Sequence, residues 1–259
     1  MVTIQFLGSG DAFGSGGRFQ ACISLRTKRA HILLDCGASS LVAMKRLGID
    51  PGSVEVVLLS HLHGDHFDRL AERKLNKATP IVSTRHATSY LEKVGFTQTR
   101  ALKTWEPLDV EKGGANLRLT ALPGTHGPGP LGAVLPPVMG SMLEFGSGDE
   151  VTYRLYITGD TLLHKALREI PRRYPDIDLA LVHLGGTKIL GVLVTMDARQ
   201  GIEALRITRP RTAVPIHYND YTVFKSPLED FQRAVAAQEL DSGVAYLSHG
   251  ETYEFTVSR

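Results

Sequence analysis

Cysteine and tryptophan are scarce in this chain, whose 259 residues include two cysteines and one tryptophan. Cys22 and Cys36 lie outside any C-x-x-C pair, and two cysteines cannot build a disulfide framework. Their neighbours are mostly apolar, which predicts two small buried side chains in a protein from a reducing compartment.

Long apolar runs and an excess of one charge are also absent. No stretch approaches the ~20 apolar residues that span a bilayer, and the first residues lack the basic and apolar regions of a signal peptide. The chain has 29 basic and 27 acidic residues, so its net charge of +2 gives no argument for a nucleic-acid or membrane partner. We therefore expect a cytoplasmic protein with a small-molecule substrate.

Short apolar runs separated by turn residues alternate with segments of helical spacing. The runs at residues 2–7, 21–25 and 31–34 predict strands, and residues 39–47 predict a helix. Residues 124–137 are rich in glycine and proline and predict a long ordered loop. The strands come in two groups, each followed by helices, which favours one α/β domain over residues 1–259 with two packed sheets and helices outside.

The strongest chemical signal is the run Ser60-His61-Leu62-His63-Gly64-Asp65-His66, which follows an apolar strand predicted at residues 54–59. Side chains two apart at a strand end point the same way, so His61 and His63 can bind one ion together. Gly64 allows a tight turn, after which Asp65 and His66 can face the same cleft. Nitrogen and carboxylate ligands suit zinc, with manganese or iron as alternatives.

The order H-x-H-x-D-H after an apolar strand resembles the metallo-β-lactamase superfamily. Three later motifs extend the resemblance in the expected order: Thr125-His126-Gly127, Thr158-Gly159-Asp160-Thr161 and Pro215-Ile216-His217-Tyr218. The resemblance implies a four-layer αββα sandwich with two divalent metal ions in a cleft between the sheets.

The resemblance also implies a role for each of these residues. His61, His63 and His126 would bind one ion, Asp65, His66 and His217 would bind the second, and Asp160 would bridge both. Two neighbouring ions lower the pKa of a shared water, and the resulting metal-bound hydroxide would be the nucleophile. Asp65 would also be the catalytic residue that carries the proton of this water.

Several residues outside these motifs are candidates for further roles. Asp35 ends a strand and is either a partner for a metal-binding histidine or a simple turn residue. His183 is predicted either to touch substrate at the mouth of the cleft or to be a satisfied structural histidine. The segment 8–11 predicts a loop beside the cleft, with Arg18 as an anion contact.

The segment from Gly185 to Val194 has more apolar residues than a plain solvated loop. We favour their packing under the neighbouring helix. A lid or a subunit contact is the alternative, which leaves a homo-oligomer open. Lys188 is the one charge of this segment and is predicted to bind an anionic group of the substrate.

The motifs point to two branches of the superfamily. The opening Leu7-Gly8-Ser9-Gly10-Asp11 resembles the tRNA 3′-processing ribonucleases, whereas Gly185-Gly186-Thr187 and Ile216-His217-Tyr218 resemble the branch with the ascorbate-phosphate lactonases. No long basic insertion is present that could grip tRNA. The sequence thus favours a binuclear hydrolase of an ester, lactone or phosphodiester bond in a small molecule. A nuclease and a non-catalytic metal-binding scaffold are the alternatives.

Overall fold

Two mixed β-sheets dominate the computed structural model, which describes residues 1–10, 18–28, 30–112, 115–147, 150–218 and 226–257. The first sheet has the order β16-β1-β2-β3-β4-β5-β6. Its strands are β1 (Val2–Gly8), β2 (Cys22–Arg26), β3 (His31–Leu34), β4 (Val56–Leu58), β5 (Ile81–Ser83), β6 (Thr99–Ala101) and β16 (Thr252–Phe255).

The second sheet has the order β15-β14-β11-β10-β9-β8-β7. Its strands are β7 (Pro107–Lys112), β8 (Ala115–Pro123), β9 (Met139–Ser147), β10 (Glu150–Ile157), β11 (Leu179–His183), β14 (Thr212–Ile216) and β15 (Gly243–Val244). Strands β10, β11 and β14 are parallel to one another, as are β3, β4, β5 and β6. The carboxyl ends within each parallel group therefore meet at one edge of its sheet.

Helices cover the outer faces of both sheets. They are α1 (Ser40–Arg46), α2 (Arg69–Lys74), α3 (Arg85–Lys93), α4 (Gly129–Val134), α5 (Ile170–Arg173), α6 (Ala198–Thr208) and α7 (Leu228–Ala236), with two 3-10 helices at Pro51–Ser53 and Lys165–Glu169. In α6, the Asp197 carboxylate caps the first turn by accepting from the Gln200 N–H at 2.9 Å. The helix buries Ile202 and Leu205 against the second sheet and ends at Arg209, in a left-handed conformation before Pro210.

Alternation along the strands explains the layers. In β3, Ile32 and Leu34 pack between the two sheets, whereas Leu33 packs under the helices of the first sheet. In β11, Leu181 joins the core between the sheets and Val182 joins the core under α6 and α7. A strand buried on both faces needs apolar residues at successive positions. Three apolar layers between four layers of secondary structure confirm the predicted αββα sandwich.

Two predicted segments differ from the structure. Residues 124–137 are not loop throughout, because α4 forms within them after Pro128, at a position where proline favours a helix start. The segment from Gly185 to Val194 forms a two-stranded hairpin, β12 (Lys188–Ile189) and β13 (Val192–Leu193). Ile189, Leu190 and Val192 do not pack under a helix, because all three are exposed, Leu190 at the tip to 98%, whereas Val194 at the end of the segment is buried. The predicted loop that begins at Gly8 continues into residues 11–17, which lie outside the described residues.

Two expectations from the composition can be compared with the structure. Both cysteines are buried and free, as predicted. Among the described residues, no helix has the length and apolar character that crossing a membrane requires.

His249 fixes the start of the chain to its end. The Ser9 N–H donates to Nε2 of His249 at 3.1 Å, and the Phe19 N–H points at Nδ1 at 3.3 Å. A neutral imidazole can accept one such bond, whereas a protonated one accepts neither. Burial and the nearby charge of Arg18 lower the pKa of His249 to about 4.

This lowered pKa predicts acid sensitivity. A histidine with a pKa lower in the folded than in the unfolded state stabilises the fold above pH 6.5. That contribution is lost as the pH falls towards 4. Because the ring is only half-buried, we expect a loss of about 1–2 kcal/mol. Denaturant unfolding at pH 7.5 and 4.5 should therefore show a smaller pH effect in His249→Asn than in the parent, with His86→Asn as an exposed control. An equal pH effect in all three proteins would contradict this role.

Candidate functional site

All seven residues singled out by the motifs meet at one edge of the sandwich. This His/Asp cluster is His61, His63, Asp65, His66, His126, Asp160 and His217. His61 follows β4 in the first sheet, and His126, Asp160 and His217 follow β8, β10 and β14 in the second. Strand ends from both sheets thus build the cluster between them.

Backbone geometry turns the four residues of the first motif towards one point. The His63 carbonyl accepts from the N–H groups of His66 at 2.9 Å and Phe67 at 2.7 Å, which closes a tight turn. α2 begins directly afterwards, with Asp68 as its N-cap. The turn directs Asp65 and His66 back to the end of β4.

Unusual backbone conformations occur at three positions beside the cluster. Gly159 has φ +64°, and a Cβ there would lie 2.9 Å from Cγ1 of Val138, so glycine is required before Asp160. Asp35 and His217 adopt positive φ values of 56° and 63° although neither is glycine. Such conformations cost free energy and concentrate at functional sites.

Three imidazoles form the first part of the cluster. Nδ1 of His63 lies 3.0 Å from Nε2 of His61 and 3.1 Å from Nε2 of His126. Burial is the main cause that lowers the pKa of each ring. Neutral rings converging on one point make a donor set that fits a zinc-sized cation.

Carboxylates and histidines alternate in the second part. Oδ2 of Asp65 lies 3.0 Å from Nε2 of His217 and 3.2 Å from Nε2 of His66. Burial would raise the pKa of Asp65, but the charges of His66 and His217 hold it well below its usual range. Burial would lower the pKa of His217, but Asp160 and Asp65 raise it to about 9.

Asp160 lies between the two parts. Its Oδ2 is 3.8 Å from Nε2 of His61 and 3.4 Å from Nε2 of both His66 and His217. Among the described residues, Oδ1 of Asp160 and Nε2 of His66 are buried without a hydrogen-bond partner. Buried polar atoms of this kind call for an unseen partner, and a divalent cation would supply one for both atoms.

Other groups orient the rings from behind. Asp35 Oδ2 lies 2.7 Å from Nδ1 of His66, in agreement with the interpretation of Asp35 as a partner for a histidine. Ser60 Oγ lies 3.0 Å from Nδ1 of His61 and 3.1 Å from Nδ1 of His66, and it donates to Asp35. The sequence analysis missed Ser60, because a serine before a histidine carries no recognisable signal.

Backbone carbonyls at the two ends of the hairpin, at Leu184 and Val194, orient one histidine in each part of the cluster. Nδ1 of His126 donates to the Val194 carbonyl at 3.1 Å, and Nδ1 of His217 donates to the Leu184 carbonyl at 3.3 Å. Each bond leaves Nε2 with its lone pair directed into the cluster. Backbone carbonyls carry no side-chain signature, so no sequence motif could have identified them.

His183 and Lys188 have different positions. His183 is buried behind the cluster, with Nδ1 3.1 Å from Oγ1 of Thr158, and burial lowers its pKa to about 3. The burial of His183 agrees with the alternative of a structural histidine and not with a place at the mouth of the cleft, and its ring contacts those of His66 and His217. Lys188 is exposed and lines the cavity above the cluster. Arg18 has its guanidinium 4.7 Å from the ring centre of Tyr218 and donates to Ser9.

Comparison with known proteins identifies the family. A beta-lactamase superfamily domain matches residues 30–218. A UPF0173 metal-dependent hydrolase from Archaeoglobus fulgidus is 30% identical, with 78% of this chain and 82% of the relative covered. A UPF0173 metal-dependent hydrolase from Thermus thermophilus is 32% identical, with coverage of 74% and 78%.

A solved structure supports the fold. The metallo-β-lactamase fold protein YhfI from Bacillus subtilis superposes with a TM-score of 0.71 at 16% identity, covering 97% of this chain and 98% of that protein. The chain therefore belongs to the beta-lactamase superfamily and is a metal-dependent hydrolase with the metallo-β-lactamase fold.

Proposed function

We propose that this hydrolase uses two divalent metal ions, most suitably zinc. His61, His63 and His126 would bind the first ion, and Asp65, His66 and His217 would bind the second. Asp160 would bridge them. The observation that carries the proposal is the division of the cluster into two donor sets, in each of which the donor atoms lie within 4.8 Å of one another.

When bound, two such ions would activate water near neutral pH and polarise the scissile bond. The side chains of the protein have separate tasks. The charges of His66 and His217 keep Asp65 ionised, and we propose that its Oδ2 takes part in transfer of the proton of this water. Asp35 and Ser60 hold His61 and His66, and the hairpin carbonyls hold His126 and His217.

A small molecule fits the cavity above the cluster, which has a volume of about 710 Å³ and lies in the range usual for small-molecule sites. We propose that the scissile bond is an ester, lactone or phosphodiester. A screen of lactones, aryl esters and bis-aryl phosphodiesters with the zinc- or manganese-loaded protein tests this. Cleavage of RNA alone would favour the nuclease alternative. If the protein cleaves none of these substrates, the result would favour a non-catalytic metal-binding scaffold.

The two-ion proposal predicts a metal content of about two ions per chain after reconstitution. Elemental analysis after gel filtration measures it. Asp160→Asn provides the control, because it removes the bridge and leaves the remaining donors. A parent protein that retains one ion or none at saturating zinc would contradict the binuclear site.

A further inference from the structure

Two cations from distant parts of the chain line the cavity above the cluster. Arg69 is the first residue of α2, and Lys188 lies in β12 of the hairpin. Arg69 follows Asp65 by four residues, so their Cα atoms are at most about 14 Å apart. Gly185 lies against the backbone of His217, because a Cβ on Gly185 would be 2.6 Å from the His217 carbonyl oxygen. Lys188 follows Gly185 by three residues, so their Cα atoms are at most about 11 Å apart. Both long side chains therefore start close to the cluster.

Arg69 and Lys188 have no acidic partner among the residues that the structure describes. In the part of the chain that the structure describes, no carboxylate forms an ion pair with Arg69 or Lys188, and both residues are exposed. Asp68 also lines the cavity, but its Oδ1 accepts from the N–H groups of Leu70 and Ala71 as the cap of α2. Asp65 and Asp160, the acids on the cavity floor, face the histidines.

Besides the cluster and the two cations, apolar residues make up much of the cavity lining, together with the polar residues Gln20, Thr187 and Thr195. Phe67 and Ala38 contribute from the first sheet, and Ile189 and Val194 contribute from the hairpin segment. A ligand that fills this space needs an apolar body between the reacting bond and any charged group. The cavity therefore combines the cluster with apolar lining residues and two cations.

We propose that the substrate carries an anionic group, a carboxylate or a phosphate, joined through a short apolar segment to the scissile bond. Arg69 and Lys188, which both line the cavity, bind this anion together. The inference rests on the proposed hydrolase function and names its substrate class. Each exposed charge pair contributes up to about fivefold in affinity, so the two together should give a preference of about tenfold.

Calorimetric titration of the zinc-loaded protein with two matched amides tests the inference. Glutaric acid monoanilide and pentananilide have the same length, and the first has a carboxylate where the second has a methyl group. Amides resist hydrolysis, so binding is measured without turnover. The variants are Arg69→Ala, Lys188→Ala and their combination. The matched control is Arg73→Ala with Lys74→Ala, which removes two charges from α2 outside the cavity.

We expect the parent and the control to bind the anionic amide about tenfold more tightly than the neutral one. Each single variant should lose about threefold of this preference, and the combined variant should have none. Binding of the neutral amide should stay unchanged. A preference that survives in the combined variant would show that the metal ions bind the anion and would overturn the inference. A parent protein without preference, or without binding to either amide, would overturn it as well.

Hydrolysis of 4-nitrophenyl pentanoate and mono-4-nitrophenyl glutarate by the same preparations separates the two proposals. An intact anion preference in binding, without cleavage of any ester, lactone or phosphodiester, contradicts the hydrolase proposal alone. Cleavage of both esters with equal KM contradicts the anion site alone.

Discussion

Asp65→Ala is expected to reduce kcat/KM of the zinc-loaded protein by at least about 10²–10⁴-fold, the range for loss of a positioned acid or base. The loss should be larger if the second ion is released as well. Oδ2 of Asp65 contacts both His66 and His217, and no neighbouring carboxylate can replace it there except Asp160. Kinetics on the best substrate of the screen, with metal content measured on the same samples, would test this.

Asp65 is buried, so its replacement by alanine leaves a cavity beside His66 and His217. Asp65→Asn keeps the volume and should lose activity to a similar degree while remaining folded by circular dichroism. Asp109→Ala, which removes an exposed carboxylate paired with Arg118, serves as the control with parental activity. Parental turnover in Asp65→Asn would remove Asp65 from the mechanism.

Asp160→Asn is expected to lower the metal content from about two ions to one or fewer and to remove nearly all turnover, because two adjacent cations repel without an anionic bridge. The carboxylate lies within 3.8 Å of nitrogen atoms from both donor sets. An amide keeps the shape of the side chain but not its charge. Zinc titration with a chromophoric competitor measures both affinities.

Asp35→Asn provides a graded comparison for this experiment. Asp35 contacts Nδ1 of His66 and lies outside both proposed donor sets. Its loss should weaken one zinc affinity by about 10–100-fold without removing an ion at saturation. Two ions bound with parental affinity in Asp160→Asn would contradict its role as a bridge.

Local patterns were sufficient to predict several elements in the first part of the chain, among them β4, which the first motif follows. β1, β3 and α1 occur within one or two residues of their predicted bounds. Each relies on short-range information: apolar runs of strand length, glycine turns and a helical repeat. α4 was missed because its segment contains many glycines and prolines, which disfavour helix in isolation, yet Pro128 and Pro130 are at its start, where the helix tolerates them.

Side-chain burial at the site was harder to predict. His183 ends an apolar strand, just as His61 follows one, and the sequence gives both the same local signal. Packing separates them, because the ring of His61 contacts those of His63 and His126, whereas His183 contacts Thr158 and the rings of His66 and His217. The apolar residues of the hairpin segment likewise predicted burial, whereas the turn at Leu190 and Gly191 projects them outward.

The sequence by itself determined the family, the two-sheet architecture and the identity of the seven residues in the cluster, because motif order and strand periodicity are properties of the chain. Only the tertiary structure decided which nitrogen of each histidine faces the cluster. For His61, His66, His126 and His217 that choice depends on Ser60, Asp35 and two backbone carbonyls; Asp35 and the carbonyls contact the rings across 31, 68 and 33 residues. It also brought Arg69 of α2 and Lys188 of the hairpin to one cavity. Contacts between distant segments depend on how the whole core packs, and no local pattern encodes them.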